Sequence, residues 1–186
     1  MKRALTVLAA SVALAAPQPP RSPYRSIFVE ECGQHYLDRE AQSWVESRWN
    51  PRAVSPVGAM GLMQNMPGTF REYKTRGWIP QDADPFDPRM SIRGGHRYMV
   101  SIAGNWALRA PLWSQSGIRR ASWASYNAGE GNIRAAFRLA KRLGIPGEDA
   151  WRETLPQITK NHAQETLDYT VRIERAIPRL APEEGR

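Results

Sequence analysis

Four residues that interrupt regular structure, Pro51, Pro56, Gly58 and Gly61, fall within residues 50–61. Proline removes a backbone donor and glycine weakens helix and strand alike, so no long element runs through this stretch. Its apolar positions are too sparse for a strand of normal length, although a short hairpin around residues 60–64 is compatible with them. Helical periodicity stands on both sides. Upstream, a segment carrying Leu37, Ala41, Trp44 and Val45 ends near Ser47 or Arg48, because Pro51 biases Asn50 away from helical geometry. Downstream, Pro67 suits the first turn of a helix running to about residue 74. The chain reads as a mainly α fold with one irregular wall built into it. Glu46 sits at the edge of that wall, in a last helical turn. The partial negative charge of a helix C-terminus disfavours an ionised carboxylate there, and flanking by Trp44 and Trp49 would raise its pKa further.

The other segments are helical too. Periodicity begins near Ile27, includes Phe28 and breaks at Gly33. Gly77 closes the helix that Pro67 opens. Residues 78–88 form a loop with Pro80, Pro85 and Pro88, ending in an Asp87 N-cap before a first-turn proline. The next helix covers about residues 89–106, with Ile92, His96, Met99 and Ala103 on one stripe. Gly94, Gly95 and Gly104 inside it imply close backbone packing. Residues 112–116 read as a loop or short turn, and residues 119–126 as a helix burying Ala121, Trp123 and Ala124. Asn127, Ala128 and Gly129 interrupt it. Residues 131–143 are strongly amphipathic, with Ile133, Ala136, Phe137, Ala140 and Leu143 inward and Arg134, Arg138, Lys141 and Arg142 outward. Gly144 and Pro146 stop that helix. Leu155 and Pro156 introduce a last helix over about residues 162–177, with Thr166, Tyr169, Ile173 and Ile177 at helical spacing.

The ends bound the compartment. Lys2 and Arg3 precede a small-and-apolar run, and Ala13-Leu14-Ala15 offers a cleavage pattern, so residues 1–15 read as a secretory signal cut after Ala15. The alternative is an uncleaved weak anchor; the run is too short for a stable membrane span. Residues 16–26 form a proline-rich spacer, residues 27–178 a single domain and residues 179–186 a polar tail. Removing residues 1–15 takes two basic residues and no acid, lowering the net charge from +8 to +6. That balance favours an anionic partner. Arginines are scattered without interleaved aromatics, so nucleic acid is not expected. Cys32 is the one cysteine in 186 residues, so no internal disulfide forms and the core alone must hold the fold. Its bland reading is a buried small hydrophobe; the reactive alternative would pair it with His35.

The chemistry converges on Glu46. His35, His96 and His162 are dispersed, and neither HExxH nor a paired-cysteine pattern exists, so neither metal nor cofactor is expected. No phosphate-cradling loop and no G-x-S-x-G context is present. A carboxyl kept protonated near neutral pH serves as a general acid at a glycosidic bond. Most glycosidases need a second carboxylate within about 5–9.5 Å. After Glu46 the next is Glu72, then Asp82, Asp84 and Asp87 in a loop. The plain alternative is a solvated helix glutamate.

Four blocks in order carry a resemblance. The first is Glu46-Ser47, Asn50-Pro51, Ser55, and Gly58-Ala59-Met60-Gly61-Leu62-Met63-Gln64-Asn65-Met66-Pro67. The others are Gly94-Gly95-His96-Arg97-Tyr98-Met99, then Ser125-Tyr126-Asn127-Ala128-Gly129-Glu130-Gly131-Asn132-Ile133, then Glu165-Thr166-Leu167-Asp168-Tyr169-Thr170. Together they resemble the lytic transglycosylases of the soluble-transglycosylase (SLT), goose-type-lysozyme-like family, over roughly residues 35–177. Arg48 and Trp49 stand where that pattern more often has Gly-Phe, and Asn65 where it has an apolar residue.

The resemblance implies a mainly α, lysozyme-like domain that cleaves peptidoglycan glycan strands without water. Glu46 would be the sole acid and base. Ser55 and Gln64 would hold the acetamido group and sugar, and Met66 would pack against a sugar or Glu46. Tyr126 would hydrogen-bond near Glu46 and orient it, Asn127 would line the same wall, and Tyr169 would brace the last helix. It implies an exported, periplasmic or wall-associated monomer, with a secretion, conjugation or cell-wall machinery protein as a further partner. Two rivals stand beside it: a hydrolytic muramidase using Asp82, Asp84 or Asp87 as second acid, and an inactive wall-binding or assembly protein.

Overall fold

The computed structural model describes residues 21–182; the expected signal, most of the spacer and the end of the tail lie outside the described residues. The chain forms α1 (Arg25–Cys32), α2 (Tyr36–Ser47), α3 (Pro67–Thr75), α4 (Pro88–Arg109), α5 (Gln115–Ala128), α6 (Glu130–Arg142), α7 (Trp151–Thr159) and α8 (Ala163–Leu180). One-turn 3-10 segments at Gly33–His35 and Lys160–His162 lead into α2 and α8.

The core lies where α2 runs along α8, α5 rests on α4 and α8, and α6 packs on α7. Phe28, Leu62, Ile92, Trp123, Ile133, Trp151, Leu155 and Ile173 are sealed from solvent. Each such side chain contributes roughly 1.5–3 kcal/mol by leaving water. Buried Cys32 is a free thiol within this core, as its bland reading holds.

The breakers do what their chemistry allows. In place of a regular hairpin, the wall contains single bridges, Val54 to Met60 and Met60 to Asn65. At Gly61, φ is +72°, and a Cβ would lie 2.2 Å from the Pro85 carbonyl oxygen. Only glycine satisfies both conditions. Within α4, a Cβ on Gly94 would meet the Tyr73 ring at 2.3 Å, and one on Gly95 would meet Met63 at 3.0 Å. These two glycines let α4 press against α3 and the wall. Gly104 has open space instead, so it plays no such part. Asp87 caps α4 by accepting from the Met90 amide at 2.9 Å.

Tertiary packing overrides two sequence expectations. Pro156 lies inside α7. Burial of Trp151 and Leu155, and a 2.7 Å bond from the Thr154 hydroxyl to the Ala136 carbonyl, anchor that short helix. Pro156 costs α7 one hydrogen bond, toward the carbonyl of Arg152. Likewise α8 continues through Pro178 to Leu180, which is buried. Leu143, expected inward, is 57% exposed because α6 ends at Arg142 and Leu143 only caps it.

Candidate active site

Helix α2 ends abruptly. Arg48 and Trp49 both take positive φ, 56° and 58°. For side-chain-bearing residues this conformation costs about 1–2 kcal/mol each. Two interactions compensate. The Trp49 indole folds back under α2 and donates to the Glu40 carbonyl at 3.0 Å, and the Arg48 guanidinium lies 4.4 Å from the Trp44 ring centroid. The two tryptophans contact each other at 4.7 Å. They lock the end of the helix, and neither lines the cleft that Glu46 faces. The reversal sends the chain into the wall.

The wall is fastened to α2 by Ser43 and Ser47, whose hydroxyls both donate to the Leu62 carbonyl, at 3.0 and 2.9 Å. It closes on itself where the Met60 and Asn65 amides and carbonyls exchange bonds of 3.0 and 2.9 Å. Gln64, at φ 46°, turns its amide nitrogen to the carbonyls of Gly61 and Ala53, 3.0 and 3.3 Å away. Both Gln64 donors are thus occupied, and its Oε1 is left to accept. The Ser55 oxygen accepts from the Ala59 amide at 2.9 Å, which leaves the Ser55 proton to donate.

These residues face a cleft of about 370 Å³ lined by Glu46, Ser55, Gln64, Met66, Tyr126 and Asn127. Every site residue expected from the sequence therefore reaches one concavity. Met66 and Val57 are apolar and exposed at 43% and 76%, and form its lip. Asp82, Asp84 and Asp87 are absent from the lining. Asp84 instead accepts from the Phe86 amide, and Asp87 caps α4.

The far side is α8, which contributes Glu165, Tyr169 and Arg172. Here the structure reverses two expectations. Tyr169 is the residue that touches the acid: its hydroxyl donates to Glu46 Oε1 at 2.5 Å. Tyr126 turns its hydroxyl to the Met63 carbonyl, 2.7 Å away, with Asn65 Oδ1 at 3.1 Å. It holds the wall and does not hydrogen-bond to Glu46. Asn127 accepts from the Thr166 hydroxyl at 2.6 Å and so ties the end of α5 to α8. Spacing showed that Tyr169 shares a face with Thr166 and Ile173, but could not show which side chain that face meets.

Removal from water raises the Glu46 carboxyl to about 7; the Glu165 charge adds to this, while the Tyr169 hydrogen bond and the Arg172 charge oppose it. Near neutral pH the group can give and take a proton with comparable ease. Asn65 is buried where the family pattern is apolar. Its oxygen accepts from Tyr73 at 2.9 Å and its nitrogen approaches the Ser91 hydroxyl at 3.3 Å. Among the described residues, no group of three or more His, Cys, Asp and Glu side chains could hold a metal ion.

The model of the family described as "Transglycosylase SLT domain" matches residues 41–146. The membrane-bound lytic murein transglycosylase F of Shewanella loihica is 32% identical over 154 residues, covering 78% of this chain and 29% of that protein. The soluble lytic murein transglycosylase of Escherichia coli K12 is 35% identical over 129 residues, covering 67% of this chain and 18% of that protein. The chain thus spans less than a third of the length of either curated relative. Among solved structures, the 70 kDa soluble lytic transglycosylase of Escherichia coli superposes with a TM-score of 0.59 at 29% identity, over 86% of this chain and 26% of that one. The mainly α, lysozyme-like fold is shared with it.

Proposed function

The chain belongs to the transglycosylase SLT domain family, and on that premise we propose that it is a peptidoglycan lytic transglycosylase with Glu46 as sole acid and base. The observation carrying this reading is one carboxyl poised at about 7 in a cleft whose wall offers acceptor and donor groups suited to an acetamido sugar. The protonated Glu46 gives its proton to the glycosidic oxygen between N-acetylmuramic acid and N-acetylglucosamine, and the bond to the muramyl C1 breaks. The carbonyl oxygen of the muramyl acetamido group bonds to C1 and takes up the positive charge. Gln64 Oε1 accepts from the acetamido N–H, and Ser55 donates to the sugar. Glu46, now ionised, removes the proton from the C6 hydroxyl of the same sugar. The C6 oxygen attacks C1, displaces the acetamido oxygen and closes the 1,6-anhydro ring. The acid is restored and no water is consumed.

Met66 and Val57 supply apolar contact for sugar faces, and Arg172 offers a cation to the carboxylates of stem peptides. We place the protein outside the cytoplasm, in the periplasm or wall, as a monomer acting alone or beside a secretion, conjugation or wall machinery protein. Among the described residues no helix is long and apolar enough to cross a membrane.

The hydrolytic reading now rests on Glu165, the other carboxylate lining the cleft, whose side chain is 69% exposed. Mass spectrometry of muropeptides released from purified peptidoglycan separates the readings. Products lighter than hydrolytic ones by one water, lost in Glu46→Gln, are expected. Reducing muramyl ends lost in Glu165→Gln would replace the proposal with a muramidase. No product from the wild type would leave a wall-binding protein.

A further inference from the structure

Three residues of α2, Arg39, Gln42 and Glu46, lie at helical spacings of three and four and share one face. Arg39 is 5% exposed and Gln42 fully buried. Arg39 Nη1 donates to Gln42 Oε1 at 2.5 Å, Gln42 Nε2 donates to the Tyr169 oxygen at 3.0 Å, and Tyr169 donates to Glu46 Oε1 at 2.5 Å. A buried guanidinium is costly unless something compensates it. Asp38, its sequence neighbour, turns toward Arg119 at 3.4 Å, and among the described residues no acceptor meets Arg39 Nε. The proposed mechanism has no use for this cation, yet it sits three hydrogen bonds from the acid.

We propose that Arg39 and Gln42 are positioning residues, fixing the direction of every hydrogen bond that ends on Glu46. The inference rests on the transglycosylase reading for its purpose, though not for its geometry. Arginine can only donate. Gln42 must therefore turn its oxygen to Arg39 and its NH₂ to Tyr169. With its oxygen already accepting, the Tyr169 hydroxyl directs its one proton to Glu46 Oε1. An acid proton on Glu46 then belongs on Oε2, the oxygen that Tyr169 leaves free. The relay selects which oxygen serves the sugar and holds Tyr169 as a donor when Glu46 becomes the base.

The groups facing Glu46 are Tyr169, Arg172 and Glu165 from α8 and Tyr126 from α5. Those near the Arg39 end are Asp38 on α2, Cys32 on α1 and His96 on α4. Burial keeps His96 neutral down to about 4 and the Cys32 thiol protonated up to about 12. Neither changes charge in the range where Glu46 titrates.

The test is a carboxyl titration of Glu46 in ¹³C-glutamate-labelled full chain. The Glu46 signal is the one missing from Glu46→Gln, and muropeptide release is followed across pH alongside. Gln42→Glu keeps the side-chain shape, pairs with Arg39 and offers Tyr169 an acceptor in competition with Glu46. We expect its Glu46 midpoint to rise by about one pH unit, the alkaline limb of its activity to rise with it, and turnover to fall about tenfold. Gln42→Leu and Arg39→Met should move the midpoint the same way, while Arg39→Lys, still only a donor, should keep it. An unmoved midpoint in Gln42→Glu, or in either apolar variant that still folds, overturns the relay, whatever the activity. A moved midpoint without muropeptide release from the wild type would keep the relay and overturn the transglycosylase reading instead.

Discussion

At the scale of single residues, the site trades stability for chemistry. The Glu46 carboxyl is raised to about 7 from an ordinary value of 4.5. A raised acid favours the fold while neutral: its contribution is full below about 4.5, falls as pH rises, and is lost above about 7. Glu46→Gln removes this penalty and should stabilise the protein at pH 8 by up to about 3 kcal/mol, at about 1.36 kcal/mol per pH unit. The gain should be nearly absent at pH 4; urea unfolding at both pH values checks it. Tyr169→Phe deletes a hydrogen bond to a charged group, a loss of about 1.5–3 kcal/mol. Its Glu46 midpoint should move above 7 and its turnover should fall roughly 10- to 100-fold, read from the pH profile of muropeptide release. Glu46 was legible in the sequence because helix end and breakers bracket it. Tyr169 was misread because a phenol on a helical stripe reads equally as core or as site.

At the scale of elements, helix type and order follow from periodicity, while ends follow from what each helix touches. The breakers around Gly61 and the cap at Asp87 announced their turns, since their chemistry is local. Pro156 misled because the burial of Trp151 and Leu155 and the Thr154–Ala136 bond, which overrule it, depend on partners in other parts of the chain. The close approach of α4 to α3 and the wall was visible as Gly94 and Gly95, though their partners were not. Gly94→Ala should cost about 1–3 kcal/mol by overpacking against Tyr73. Gly61→Ala should cost more, because it adds a positive-φ strain to a clash with backbone. Denaturant midpoints of the two variants, with unchanged slope, measure both.

At the scale of the whole molecule, stability comes from a main core and a smaller cluster of Phe70, Tyr73, Ile79 and Ala83, without covalent staples. Burial holds the Cys32 thiol up at about 12, so the native protein should resist thiol-modifying reagents at pH 8 and react only when unfolded. A reagent assay with and without denaturant reads this directly. The cleft is likewise a property of more than one element. Glu46 and Tyr169 lie 123 residues apart in sequence, so α8 is made well after α2. Until α8 docks, Glu46 has neither its donor nor its dry setting, and it ionises as any surface glutamate does. The nascent chain therefore carries an unarmed acid, and the docking of α8 is what arms it.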